Sequence, residues 1–224
     1  MSIMLGGSSM SKERIADILL DIGAVTLSPD KPYRYASGIL SPIYTDCRLL
    51  MSRVKEREEV VDAYEKILRE RIGVQTVDCL AAVASSGIPH AAWLAERIKK
   101  PMVYVRKEEK DHGKQNLIEG KLEKGARVVV IEDLVSQGGS SLNTVKATKV
   151  AGANPTHCVV IFTYQMPKAE EGFRAEGVEL IPLCDITTLV KRASAKKIIS
   201  GEQEEVVLEW TRDTVGWGKK KGFE

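Results

Sequence analysis

The stretch RVVVIEDLVSQGGSS, residues 127–141, decides the fold. Its first half is a dense apolar run ending in two adjacent carboxylates, Glu132 and Asp133, and its second half is a loop of small uncharged residues. A run of Val and Ile without polar alternation reads as a strand covered on both faces, as in a parallel sheet between helix layers. Ligands of such sheets bind beyond the carboxyl ends of the strands, which is where the acids stand. Residues 136–141 lead into a helix, whose free N–H groups and positive end favour an anion. The segment has no G-K-[ST] as in a P-loop, and its acids precede the glycines instead of following a dinucleotide turn. An anion cradle beside two hydroxyl acceptors fits a sugar phosphate. The same residues also fit a solvated acidic turn followed by an ordinary helix cap.

The neighbouring sequence repeats the rhythm. DCLAAVA (78–84), MVYVR (102–106), HCVVIFTY (157–164) and VELIPL (178–183) are further strand candidates, and IPHAAWLAERIKK (88–100), GGSSLNTVKATKVAG (138–152) and MPKAEEGFRAEG (166–177) read as helices between them. Strand and helix in alternation predict an α/β fold, a mostly parallel twisted sheet flanked by helices. Upstream, Ile15, Ile18, Leu19 and Ile22 repeat at helical spacing after a cap at Ser11, and a second helix is expected over 54–72, closed by Gly73. Between them, residues 33–48 read as a strand pair or a strand and loop, with turn signals at Ser37-Gly38 and Ser41-Pro42. The expected organisation is a loose terminus over 1–10, an N-terminal segment over 11–75, the α/β core over 76–200, and a tail over 201–224 with a helical patch around VVLEW.

A chain of 224 residues, 43% hydrophobic and 29% charged, buries one good core, and its formal charge of +2 gives no bulk attraction to nucleic acid or membrane. No apolar run approaches the ~20 residues that span a bilayer, and the start lacks a secretion signal's apolar centre, so the expected location is cytoplasmic. Cys47, Cys79, Cys158 and Cys184 fall singly and read as packing residues. His90, His157, Trp93, Trp210 and Trp217 are likewise assigned to structure.

VVVIEDLVSQGGS (128–140) closely resembles the phosphoribosyl diphosphate signature of type I phosphoribosyltransferases. The resemblance implies that fold, with a small N-terminal hood. It also implies that Glu132 and Asp133 hold the ribose hydroxyls while Ser136, Gln137, Gly138, Gly139 and Ser140 hold the 5-phosphate. Residues 105–116, VRKEEKDHGKQN, read by themselves as a solvated loop in which Glu108, Glu109 and Asp111 nearly cancel the cations. Their R-K-x-x-K-x-H-G pattern is similar to the catalytic loop of the orotate phosphoribosyltransferase family, which folds over the diphosphate of a neighbouring subunit. It implies a homodimer that shares the 106–114 loop, with Arg106, Lys107, Lys110, His112 and Asp133 in catalysis.

ASGILSPIYTDCR (36–48) is similar to the orotate-side segment of that family, implying contacts from Ile43, Tyr44 and Arg48, with Ser136 also near the base. Physically, Tyr44 reads equally as a half-buried strand residue. AVASSGIPHAAWLAE (82–96) resembles the family's diphosphate loop, implying Ser85 and Ser86, and is also compatible with a plain strand-to-helix turn. The implied reaction joins orotate to phosphoribosyl diphosphate, giving orotidine 5′-monophosphate and diphosphate in pyrimidine synthesis. Mg²⁺ is implied, held by substrate and water with no direct protein ligand, while His112 stands either as an acid or as a fixed donor. Three departures are visible: Gln137 in the phosphate loop, Leu40 where many relatives carry Lys, and Thr163, Tyr164 and Gln165 where some place an Arg. Two rival readings share Glu132 to Ser140. A purine phosphoribosyltransferase would lack R-K-x-x-K-x-H-G, and a regulator that kept the fold as a ligand sensor would add a helix-turn-helix or a basic face.

Overall fold

The computed structural model describes residues 11–35, 37–107 and 117–223. The chain begins with α1 (Lys12–Asp21), whose first turn is capped by Ser11 Oγ accepting from the Arg14 N–H and whose apolar face buries Ile15, Ala16, Ile18 and Leu19. Four short strands follow: β1 (Val25–Leu27), β2 (Tyr33–Arg34), β3 (Leu40–Ser41) and β4 (Ile43–Thr45). They make two antiparallel pairs, β1 with β4 and β2 with β3, outside the main sheet. A 3₁₀ turn (Cys47–Ser52) leads into α2 (Val54–Lys66), which continues as a wider π-helical turn (Ile67–Ile72) and stops at Gly73. The helix expected over 54–72 is therefore present, with its last turn unwound. Val60, Val61, Tyr64 and Leu68 make its buried face.

The core then runs β5 (Cys79–Val83), α3 (Gly87–Ile98), β6 (Met102–Val105), β7 (Ile118–Glu119), β8 (Arg127–Val135), α4 (Gly139–Val150), β9 (Asn154–Thr163), α5 (Pro167–Ala175) and β10 (Glu179–Asp185). It ends in α6 (Ile186–Ala195), α7 (Gly201–Arg212) and α8 (Trp217–Lys220). One six-stranded sheet has the order β10-β9-β8-β5-β6-β7 and is parallel throughout except for β7, which returns antiparallel to β6. Successive residues along each strand enter opposite layers. Leu80, Ala82, Val129, Ile131, Val159 and Ile161 pack with α1, α2 and α3, while Ala81, Val83, Val128, Val130, Cys158 and Val160 pack beneath α4 and α5.

All five core strands read from the sequence and the three helices between them are present, with ends moved by a few residues. Two elements of the core were not anticipated, nor were β1 and α8 outside it. β7 is only two residues long, and α6 follows β10 with no loop to punctuate it, Asp185 serving both as the last strand residue and as the helix N-cap through a 2.8 Å bond from the Thr188 N–H. The tail forms two helices and packs on the body, with Trp210 and Trp217 buried. All four cysteines are buried and free.

Strand order reverses direction between β5 and β8: from β5 the chain crosses to β6 on one side, and from β8 to β9 on the other. The reversal leaves a crevice beyond the carboxyl ends of these two strands. Residues 84–86 and 136–141 leave the sheet there.

Candidate active site

Glu132 and Asp133 stand in the second half of β8, beside that crevice. They are 5% and 8% exposed, so both carboxylates sit in the mouth of a pocket and not in a solvated turn. Glu132 folds back on its own surroundings. Its Oε1 accepts from the Asp133 N–H at 3.1 Å and its Oε2 from Ser141 Oγ at 3.1 Å, while its carbonyl accepts from the buried Tyr64 hydroxyl at 2.6 Å. Burial raises the pKa of Glu132 well above the usual carboxylate range, and the Asp133 charge adds to it. Burial likewise raises Asp133, against opposing hydrogen bonds. An acid pair desolvated in this way is short of positive partners and hydroxyl donors, and a sugar with vicinal hydroxyls beside a cation supplies both.

A cleft of about 250 Å³ opens on these acids, lined also by Asp46, Arg48, Ser86 and Ser140. Arg48 forms a two-point pair with Asp46, Nε to Oδ1 at 2.6 Å and Nη2 to Oδ2 at 3.0 Å, and this pairing lowers the Asp46 pKa. Arg48, assigned to the orotate side from the sequence, lines the cleft with the acids. Ser86 lines the same cleft, and Ser85 is exposed on the turn beside it. The turn sits tightly against β8: a Cβ at Gly87 would lie 2.6 Å from the Ile131 carbonyl oxygen, so only glycine lets α3 begin so close to the acid pair.

The loop after the acids keeps its expected form. Ser136, Gln137, Gly139 and Ser140 are exposed, and Gly138 turns the chain with φ of 82°. Among the described residues no side chain caps α4, which leaves the amides of its first turn for an incoming anion. Lys168 Nζ lies 3.3 Å from Gln137 Oε1, which places a cation at the edge of the loop. This loop forms one wall of a second cavity of about 400 Å³, whose other walls are Tyr35, Ile39, Tyr164, Met166, Trp210 and Thr214. Ser136 lines this cavity.

Two residues assigned to the base side from the sequence line neither cavity. Ile43 is fully buried, and its carbonyl already accepts from the Tyr35 hydroxyl and Ser41 Oγ, both at 2.8 Å, so it backs the wall without facing the cavity. Tyr44 is 44% exposed, stands 5.9 Å from the Tyr33 ring, and lines neither cavity. The aromatic surface comes instead from Tyr35, Tyr164 and Trp210. In Pro-Ile-Tyr-Thr a shift of one residue exchanges the two faces of a strand, and with Ser41, Pro42 and Ile43 buried in succession the sequence shows no alternation to fix it.

Of the cationic segment, Arg106 and Lys107 are described, while Lys110 and His112 lie outside the described residues. The Arg106 N–H donates to the Leu117 carbonyl at 2.8 Å, and its Nη1 is 3.8 Å from Glu119 Oε1. Arg106 and Lys107 line a hollow against α4 that includes neither Glu132 nor Asp133. Neither residue lines the acid cleft or the aromatic cavity.

Comparison with known proteins agrees with this geometry. The profile of the phosphoribosyl transferase domain matches residues 51–177. An orotate phosphoribosyltransferase of Coxiella burnetii is 41% identical over 203 residues, 91% of this chain and 96% of that protein. One from Listeria monocytogenes is 41% identical over 208 residues, 93% and 99%. Among solved structures, the orotate phosphoribosyltransferase of Aeropyrum pernix has a TM-score of 0.67 at 26% identity, covering 80% of this chain and 99% of that one. The UMP synthase of Leishmania donovani has a TM-score of 0.74 at 26% identity over 89% of this chain, which spans 42% of that longer protein. An adenine phosphoribosyltransferase from Leishmania donovani shares the fold, with a TM-score of 0.59 at 18% identity. The acid pair at the reversal of strand order, the uncapped helix behind it, and these full-length relatives agree: the chain belongs to the orotate phosphoribosyltransferase family.

Proposed function

We propose that this protein transfers the phosphoribosyl group of phosphoribosyl diphosphate to orotate, yielding orotidine 5′-monophosphate and diphosphate as a step of pyrimidine synthesis. The observation that carries this is the adjacency of the two cavities. One holds the acid pair and the other the aromatic surface, with Ser140 and Leu134 lining both. A sugar phosphate set on that boundary puts its hydroxyls on Glu132 and Asp133 and its 5-phosphate on the amides of 137–141. Its anomeric carbon then faces the aromatic cavity, where a flat base enters.

Displacement at that carbon develops positive charge on the sugar and negative charge on the departing diphosphate. Glu132 and Asp133 fix the ribose and stabilise the first. Ser86 and Arg48 stand on the acid side of the cleft, where the diphosphate lies. Among the described residues no group of three or more His, Cys, Asp or Glu could hold a metal. The donor set, two adjacent carboxylates in one cleft, fits Mg²⁺ held through water and substrate oxygens, where it would neutralise the diphosphate.

Arg106, Lys107, Lys110 and His112 belong to the proposal as the flap over the diphosphate of a partner subunit in a homodimer. That Arg106 and Lys107 line a hollow other than the acid cleft supports that reading. A cytoplasmic location is proposed on the same footing; among the described residues no helix is long and apolar enough to cross a membrane.

The experiment is a turnover assay with Mg²⁺, phosphoribosyl diphosphate and orotate, followed by loss of orotate absorbance. Orotate is consumed, and adenine and hypoxanthine are not. No orotate turnover, or faster turnover of a purine, removes the proposal.

A further inference from the structure

The tail, residues 201–223, is held against the N-terminal strands by a set of specific contacts. Helix α7 starts at a capping box, with Ser200 Oγ accepting from the Gln203 N–H and the Gln203 side chain accepting from the Ser200 N–H. The Gln203 amide then donates to Asp30 Oδ2 at 2.6 Å. At the other end of α7, Trp210 Nε1 donates to the Leu40 carbonyl at 2.9 Å, and its ring meets Tyr164 edge-on with centroids 5.4 Å apart. Tyr164 in turn donates its hydroxyl to Thr45 Oγ1 at 2.8 Å. Helix α8 closes on the same strand: a Cβ at Gly218 would lie 2.9 Å from Leu40 Cδ1. The turn between the helices is pinned by Asp213, which accepts from the Gly216 N–H at 2.9 Å and from Lys220 Nζ at 2.6 Å. That turn carries Thr214, which lines the aromatic cavity together with Trp210.

We propose that the tail is a wall of the base-binding cavity, with Trp210 as a positioning residue and Thr214 as a contact that sets affinity for the base. The inference rests on the reading of orotate as the acceptor. Trp210 acts through the main chain of residues 39–41, since its N–H fixes the Leu40 carbonyl and Ile39 beside it faces the cavity. Thr214 acts directly. Among the described residues no charged side chain lines this cavity. An anionic base is therefore met by neutral donors, and the tail's contribution to them is the Thr214 hydroxyl.

The test is steady-state kinetics of wild type, Thr214→Val and Trp210→Phe, with KM measured separately for orotate and phosphoribosyl diphosphate. Valine keeps the shape of Thr214 and removes its hydroxyl; phenylalanine keeps an aromatic ring at 210 and removes the N–H. In both variants KM for orotate rises about three- to tenfold, the worth of one neutral hydrogen bond, while KM for phosphoribosyl diphosphate stays within about twofold. If KM for orotate is unchanged in both variants, or if both KM values rise together, the tail is packing alone and the proposal is overturned. Should Trp210→Phe fail to fold, Thr214→Val decides by the same criterion. A wild-type protein that does not consume orotate fails at the earlier step, the identity of the acceptor, and removes this wall's ligand with it; wild-type turnover with an unmoved orotate KM removes the wall alone.

Discussion

Glu132 and Asp133 are held where the fold does not favour them as anions. Their raised pKa values mean that the folded state binds protons more tightly than the unfolded one. The destabilisation is fully present above the raised folded-state pKa and relieved as pH falls toward the usual carboxylate value. Replacing Glu132 with Gln removes that cost and keeps the side chain's size. Glu132→Gln should therefore gain about 1–2 kcal/mol of stability at neutral pH, seen as a higher Tm, while kcat/KM falls about 10- to 100-fold through the lost ribose contact. Wild-type Tm should gain on the variant's as pH is lowered, and a constant difference between them would contradict the assignment. Gly87 makes a second demand at this scale. With a Cβ only 2.6 Å from the Ile131 carbonyl oxygen, Gly87→Ala should lose about 1–3 kcal/mol through displacement of the turn, read from denaturant unfolding.

At the scale of elements, the α2–α3 pair contains a buried titratable group of opposite sign. His90 is fully buried, packs against Tyr64 and Trp93, and has neither ring nitrogen hydrogen-bonded among the described residues. Burial, with the Arg57 charge adding to it, lowers its pKa to about 4. A depressed His pKa means that the unfolded state binds more protons between pH 6.5 and about 4, so folding loses stability as pH falls through that window, by at most about 3 kcal/mol. Tm measured across this window should fall in wild type and stay flatter in His90→Leu; parallel curves would contradict it. The reading of His90 as structural agrees with this placement.

Elements were legible in the sequence where a buried run met a punctuating residue. VVVIED ending in acids and small residues gave β8, its rim and the start of α4, and Gly73 and Gly152 closed helices where expected. What could not be read lacked punctuation or depended on distance. Asp185 joins β10 to α6 without a loop, and the Trp210 contact with Leu40 spans 170 residues. One missed signal was present: S-G-E-Q at 200–203 is a capping-box pattern and marks the start of α7. The acid pair and the phosphate loop were named from the sequence, whereas Asp46 and the place of Arg48 in the acid cleft were not. The faces of Ile43 and Tyr44 were not legible, because which face each presents depends on strand register and not on residue type.

For the whole molecule, the proposal requires two chains. Arg106 and Lys107 line a hollow apart from their own acids, and in the proposed function the cationic segment of one subunit completes the site of the other. Lys110→Ala and Asp133→Ala proteins, each inactive as pure dimers, should regain a measurable fraction of activity after mixing under conditions that exchange subunits. Mixtures that form hybrids yet stay inactive would place the loop over its own cleft.

The central claim is that the acid pair and the loop behind it grip phosphoribosyl diphosphate, and equilibrium titration of that compound with Mg²⁺ tests it most directly. A protein carrying both Glu132→Gln and Asp133→Asn should bind about 100-fold more weakly than wild type while remaining folded, the loss of two charge-assisted contacts. Equal affinity in the two proteins would contradict the account.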